Sequence, residues 1–325
     1  MDDVGLYQRL FAIGPECLVH DLHPDYVTTR YARDRAEAEE VELLAVQHHH
    51  AHMASCIAEN RLTEPVIGVT FDGTGHGTDG KIWGGEFLVG DYRRFRRAAH
   101  LRPVGMPGGD RAIREPWRMA VAHLADAGLE SAPGASPFPE DRARLIRRML
   151  ERRLNTAMTS SAGRLFDAVA ALAGVRACVR YEGQAAIELE WLASGVAPDG
   201  AYPFEFHPGD GGADAEPALV VDTRPLVRAA ADDASRGVGP ARIARRFHST
   251  IVEIIATVCG QIRAPPALDA AVLSGGVFLN ALLSSEVCRR LAAEGFRTYR
   301  HRLVPTNDGG LSLGQLAVAV CAHAS

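Results

Sequence analysis

With 325 residues, 47% of them hydrophobic and 23% charged, the chain has ordinary globular composition and can bury a sizeable core, as one long domain or as two lobes. Its formal net charge of -5 excludes the overall basic footprint of an autonomous nucleic-acid binder. No apolar run reaches the roughly 18 residues of a membrane span. The acidic start, Met1-Asp2-Asp3, has no signal core behind it, so we expect a soluble cytoplasmic protein without a membrane partner.

Only Lys81 is lysine among the 35 basic residues, so arginine runs such as Arg93-Arg94-Phe95-Arg96-Arg97 reflect compositional bias and read as solvated faces. The six cysteines are scattered without a CxxC pair, which disfavours a zinc knuckle or a disulfide framework; most read as buried thiols.

In chain order, Leu6 to Ile13 reads as helical, Cys17 to Leu22 as extended and Pro24 to Glu39 as helical, with Pro24 in the first turn. A strand from Val41 to Val46 and a helix from His48 to Asn60 follow, an alternation that predicts a parallel sheet. Val66 to Phe71 and Ile82 to Val89 are strand patterns joined by the glycine- and aspartate-rich residues Asp72 to Gly80. Arg94 to Leu101 continues the sheet, and Met106 to Arg118 is a loop entering a helix that runs to Ala127. Ser131 to Pro139 is a loop, Glu140 to Leu154 is helical, and further helices start at Gly163 and Gln184. Residues 198 to 217 form an exposed excursion or a hairpin with an irregular tip. Helices return over Thr223 to Ser235 and Pro240 to Arg263; a buried strand from Ala270 to Leu273 then meets the tight turn Ser274-Gly275-Gly276-Val277. A helix from Phe278 to Leu283, a further helix to Glu294, a strand pair around Thr298 to Val304 and a last helix from Leu311 to His323 complete the reading, with no internal repeat.

Two stretches carry chemistry. The first is His48-His49-His50-Ala51-His52, where residues four apart share a helix face, so His48 and His52 can reach one ion. Two histidines with a carboxylate from elsewhere and open positions suit iron or zinc, while exposed or core-satisfied histidines are the plain alternative. The second is Asp72-Gly73-Thr74-Gly75. Its glycines let backbone amides approach a phosphate, its threonine can donate a hydrogen bond, and its aspartate can hold a metal or an attacking water. It is not a P-loop: Ile82 stands where Gly75, Gly80 and Lys81 would demand serine or threonine, and a strand follows instead of a helix. Glycine-led helix starts at Gly163 and at Gly275-Gly276 are further anion-binding candidates, with Asp167 and Glu188 as ribose acceptors or plain exposed helix acids. No GxSxG elbow or activated cysteine is present, so metal and electrostatic assistance of group transfer is favoured over covalent catalysis.

Five segments, Gln47 to His52, Asp72 to Gly75 with Ile82 to Glu86, Pro107 to Asp110 with Arg114 to Arg118, Ser274 to Asn280, and Pro305 to Gly310, together resemble the C-terminal carbamoyltransferase domain of the HypF family of nickel-iron hydrogenase maturation proteins. The resemblance implies a Kae1/TsaD-like α/β fold of the actin-like and sugar-kinase-like ATPase superfamily, two lobes around a nucleotide cleft. Residues 1–65 would form a partial, truncated first lobe with the metal-binding helix, and 66–325 a second lobe whose last helix can return to the first. It also implies one divalent metal, iron or zinc, on His48, His52 and Asp308, and a nucleotide, ATP or carbamoyl-adenylate with Mg possible. Its phosphates would meet Asp72, Gly73, Thr74, Gly75, Gly275 and Gly276, and its adenosine would lie near Gly163, Asp167, Gly183, Glu188 and Asn280. The implied reaction passes a carbamoyl group from carbamoyl-adenylate to the C-terminal cysteine of HypE, with Arg114 or Arg118 orienting the carbamoyl oxygen or simply salt-bridged before the next helix. Full-length members carry acylphosphatase-like, zinc-binding and YrdC-like domains that are not seen here, so the adenylate is expected from a separate YrdC-like protein or domain. Alternatives are a related O-carbamoyl- or tRNA threonylcarbamoyl-transferase, a sugar-kinase-like phosphotransferase, and a non-catalytic HypE-docking module.

Overall fold

The computed structural model describes residues 2–129, 138–209, 218–263 and 268–323. Helix α1 (Asp2–Phe11) is followed by β1 (Cys17–Asp21), α2 (Val27–Glu39) and β2 (Glu42–Val46), and the two strands pair in parallel with Asp21 opposite Val46. The expected strand-helix-strand alternation is therefore present, but α2 begins at Val27, because His23 to Tyr26 form a turn held by side chains. Next come α3 (His48–Glu59), β3 (Val66–His76), β4 (Ile82–Gly90) and β5 (Phe95–Leu101). Two short strands were not expected, β6 (Val104–Pro107) and β7 (Thr156–Thr159), and between them lie α4 (Asp110–Arg114), α5 (Trp117–Asp126) and α6 (Glu140–Glu151). The expected loop at residues 131 to 137 lies outside the described residues.

After β7 come α7 (Ala162–Leu172), α8 (Gln184–Ser194), β8 (Glu205–Pro208), β9 (Leu219–Asp222), α9 (Arg224–Ser235), α10 (Pro240–Ile262), β10 (Ala270–Ser274), α11 (Ala281–Ala293), β11 (Arg297–Arg300) and α12 (Leu311–His323). The excursion at 198 to 217 is thus a hairpin of β8 and β9, with its tip at 210 to 217 outside the described residues. Where a helix from Phe278 to Leu283 and a further one to Glu294 were expected, a 3-10 turn (Gly276–Leu279) ends at Asn280, whose side chain accepts the Leu283 amide and caps α11. The expected strand pair near Thr298 reduces to β11 alone, since the amides of Arg302 and Leu303 are taken by the Glu59 carboxylate and cannot extend a ladder.

A nine-stranded sheet runs in the order β11, β10, β3, β4, β5, β9, β8, with β6 and β7 branching from β4. Both faces of β3 are covered, which is why Val66 to Phe71 reads as an unbroken apolar run. Val66 packs with Met53, Cys56 and Ile57 of α3, whereas Ile67, Val69 and Phe71 join the main core with Leu165 and Phe166 of α7. Gly68 is required here, because a side chain would strike Met53. Helix α3 is buried from His48 to Ile57, so its histidines face protein on every side. Helix α12 lies against it at Gly314, where a methyl group would collide with the Ala51 carbonyl. Of the cysteines, Cys56 and Cys259 are buried, Cys178 is exposed and the others are half-buried, fewer buried thiols than expected. No helix among the described residues is long and apolar enough to cross a membrane.

Candidate metal and nucleotide site

Gln47 starts the site. Its side-chain oxygen accepts the His50 amide at 2.8 Å, capping α3, while its amide nitrogen donates to the His76 carbonyl at 3.0 Å and ties the cap to the end of β3. The first turn of α3 therefore faces the β3 turn. His48 Nδ1 lies 2.7 Å from Asp21 Oδ2, so that nitrogen carries a proton and Nε2 is the atom turned toward Asp72 and Asp308. His48 Nε2 is 3.3 Å from Asp72 Oδ2 and 3.7 Å from Asp308 Oδ1; His52 Nε2 is 3.6 Å from each carboxylate. One ligand atom from each of the four residues falls within 4.8 Å of all the others. Metal-ligand bonds near 2 Å at tetrahedral angles put neighbouring ligand atoms roughly 3.3 Å apart. The donor set fits one small divalent cation, and the buried His52 Nε2 has no hydrogen-bond partner among the described residues.

Electrostatics agrees with that fit. Burial alone would lower the His48 pKa, but Asp21 and Asp72 outweigh it and hold the imidazole up at about 10. Asp72, although buried, is held well below the usual carboxylate range by His48 and His52. The cluster thus stabilises positive charge between its carboxylates. His49, the neighbour that points elsewhere, is driven down to about 3 by burial and by His48, and stays neutral against Trp83. Tyr26 is half-buried, and its partial burial together with the nearby Asp21, Asp308 and Asp72 carboxylates pushes its phenol up to about 12.

Asp72 also reaches the second motif. Its Oδ1 accepts the Gly276 amide at 2.8 Å, joining the turn after β3 to the turn after β10. Gly275, at φ +104°, sits against the Phe71 backbone where no Cβ fits, and its amide donates to Thr306 O at 2.9 Å. Ser161 caps α7 through the Arg164 amide and donates its hydroxyl to the Asp72 and Gly73 carbonyls at 3.1 and 2.5 Å. Gly163 then packs directly on Gly73. These contacts close one end of a cavity of about 570 Å³.

Asp72, Gly73, Thr74, Gly163, Asp167, Gly183, Gly276, Asn280 and Asp308 all line that cavity, so the sequence-derived metal and nucleotide candidates largely meet in one place. Seven candidates do not line it, and two of them, His48 and His52, are buried behind the lining carboxylates Asp72 and Asp308. Gly75 backs onto the rings of His48 and His49, and Gly275 backs onto β3; both are spacers behind the wall. Glu188 turns away and pairs with Arg176 at 2.7 Å, because the cavity face of α8 carries Gly183, Ala186, Ile187 and Glu190. Arg118 is buried against Glu115 at 2.5 Å and over Trp117, and Arg114 is exposed. The salt-bridged alternative therefore describes Arg118. Residues that sequence reasoning missed are Asp21, Tyr26, Arg164, Glu182, Glu190 and Asn307. Asp21 alone had a signal, its place at the carboxyl end of a parallel strand, where ligand groups gather. Asp167, beside Arg164, is pushed up to about 6 by burial, which Arg164 only partly offsets.

A model of the HypF Kae1-like domain matches residues 2–59, and one described as a carbamoyltransferase, Kae1-like domain, second subdomain, matches residues 68–315. The chain belongs to the HypF family. It is 41% identical over 340 residues to carbamoyltransferase HypF2 of Cupriavidus necator, covering 98% of this chain and 42% of that protein. A carbamoyltransferase HypF homolog from the same organism is 41% identical over 314 residues, covering 94% of this chain and 77% of that one. The crystal structure of full-length HypF in the phosphate- and nucleotide-bound form matches with a TM-score of 0.90 at 36% identity, covering 100% of this chain and 41% of that chain. T. kodakarensis HypF matches with a TM-score of 0.83 at 29% identity, covering 98% of this chain and 42% of the other. The chain thus spans about two fifths of the length of HypF2 and of both crystallised HypF proteins. Its α/β architecture is the family's Kae1-like, actin-like fold.

Proposed function

We propose that this chain transfers a carbamoyl group from carbamoyl-adenylate, bound in the cavity, to the C-terminal cysteine thiol of a HypE-like partner, as a step toward hydrogenase cyanide ligands. The observation that carries the reading is the four-residue donor set His48, His52, Asp72 and Asp308, whose two carboxylates line a nucleotide-sized cavity in a HypF-family chain. An iron or zinc ion on those four residues supplies Lewis acidity toward a carbonyl or phosphate oxygen.

The chain's own groups do the positioning. Gly73 and Gly276 line the cavity beside Asp72, and having no side chain they permit close approach of a phosphate there. Asp167, Gly183 and Asn280 line the part of the cavity that suits the adenosine. The partner's sulfur forms a bond to the carbamoyl carbon, the bond from that carbon to the phosphate oxygen breaks, AMP leaves with the electron pair, and the thiol proton passes to water. Binding both reactants in one orientation supplies most of the acceleration asked of such a site. Ligands named for the crystallised HypF, phosphate and a nucleotide, support the same assignment here.

The test is incubation of the protein with carbamoyl-adenylate and a HypE-like partner, read by intact-mass spectrometry. One carbamoyl addition on the terminal cysteine, absent with Asp308→Ala, supports the reading. An unmodified partner sinks it, and transfer that survives both His48→Ala and Asp308→Ala reduces the chain to a docking module.

A further inference from the structure

Tyr26 lines the metal end of the cavity and is the only one of the described residues before Asp72 to do so. Its hydroxyl makes no hydrogen bond to the described residues. The surroundings are rich in acceptors: Asp72, Asp308 and Glu182 line the same region. Thr74 and Tyr26 are the hydroxyl donors there. A carbonyl oxygen that gains charge during acyl transfer needs donors, and carboxylates cannot supply them.

The ring is also held in place. It stacks on the His23 imidazole with centroids 4.2 Å apart and planes 1° from parallel. The His23 amide is bonded to Asp21 Oδ1 at 2.8 Å, and Asp21 Oδ2 holds His48 Nδ1 at 2.7 Å. One carboxylate therefore indexes both a metal-ligating imidazole and the phenol. His23 Nδ1 accepts the Asp25 amide at 3.1 Å, which fixes the turn between them.

We propose that Tyr26 is a catalytic residue, donating a hydrogen bond to the carbonyl oxygen of the transferred carbamoyl group; the assignment rests on the carbamoyl-transfer reading. As the sulfur-carbon bond forms, the carbonyl π pair moves onto oxygen, and it returns when the carbon-oxygen bond to AMP breaks. Tyr26 keeps its proton throughout.

The test compares two probes, AMP and carbamoylsulfamoyl-adenosine, in which a sulfamoyl link replaces the phosphate. Calorimetry on wild type and Tyr26→Phe, which keeps the ring on His23, is expected to show unchanged AMP affinity and about tenfold weaker binding of the carbamoyl-bearing probe, the worth of one hydrogen bond. In the transfer assay kcat is expected to fall by roughly a hundredfold, with a smaller, about tenfold rise in KM for the adenylate. Equal losses for both probes mark a structural role and overturn the assignment, as does discrimination that Tyr26→Phe leaves intact. A wild-type protein that binds the carbamoyl-bearing probe no more tightly than AMP overturns the carbamoyl reading, and the Tyr26 role with it.

Discussion

Asp21 Oδ2 stands 2.7 Å from His48 Nδ1, and the two residues come from a strand end and a helix start 27 positions apart. Such a bond fixes the tautomer that leaves Nε2 free and raises its basicity toward a metal. Asp21→Asn is therefore expected to weaken metal binding by roughly ten- to a hundredfold without removing any ligand. Competition with a chelator of known affinity measures it, and an unchanged dissociation constant contradicts the assignment.

Asp72 and Asp308 differ in what else they hold. Asp308 has a side chain 63% exposed, whereas Asp72 is buried and also binds the Gly276 amide. Asp308→Ala is expected to lose metal while keeping nucleotide binding and stability. Asp72→Ala is expected to lose both ligands and about 1 kcal/mol of stability, because the half-buried Gly276 amide loses its partner. Parallel metal analysis, nucleotide titration and urea unfolding separate the two variants.

Two histidines far from the cluster set an acid limit. His123 and His248 are buried and held near pKa 4 by desolvation, so they are neutral when folded and protonate more readily when unfolded. The unfolded chain binds the extra protons, so stability is full above about pH 6.5 and falls as pH drops toward 4. The slope is about 1.4 kcal/mol per pH unit for each histidine. Urea unfolding at pH 7 and pH 5 checks this, and His123→Phe is expected to flatten the difference.

Gly314 lets α12 approach the Ala51 carbonyl on α3. Gly314→Ala is expected to cost about 1–3 kcal/mol through overpacking and to loosen the helix that carries His48 and His52. Thermal unfolding and metal content are expected to fall together. Retention of both means the two helices yield without consequence.

The candidate metal-binding helix was legible because an i, i+4 histidine pair follows from helix geometry alone, and the strands flanking Asp72 announced themselves as apolar runs. Asp308 came from resemblance, since nothing local in Asn307-Asp308-Gly309 reveals a residue 256 positions downstream of His52 as its neighbour. Glu188 was misplaced because a one- or two-residue error in the phase of α8 exchanges Glu188 for Glu190 on the cavity face. The turn from Asp21 to Tyr26 was illegible for another reason. It is built on side-chain bonds to His23 and His48, which carry no periodicity.

The most direct measurement is elemental analysis of the purified wild-type protein beside His52→Ala, with circular dichroism confirming that both are folded. The account predicts about one iron or zinc per wild-type chain and almost none in the variant. A folded wild-type protein that takes up no metal when supplied with either ion, or a His52→Ala protein that keeps a full complement, contradicts it.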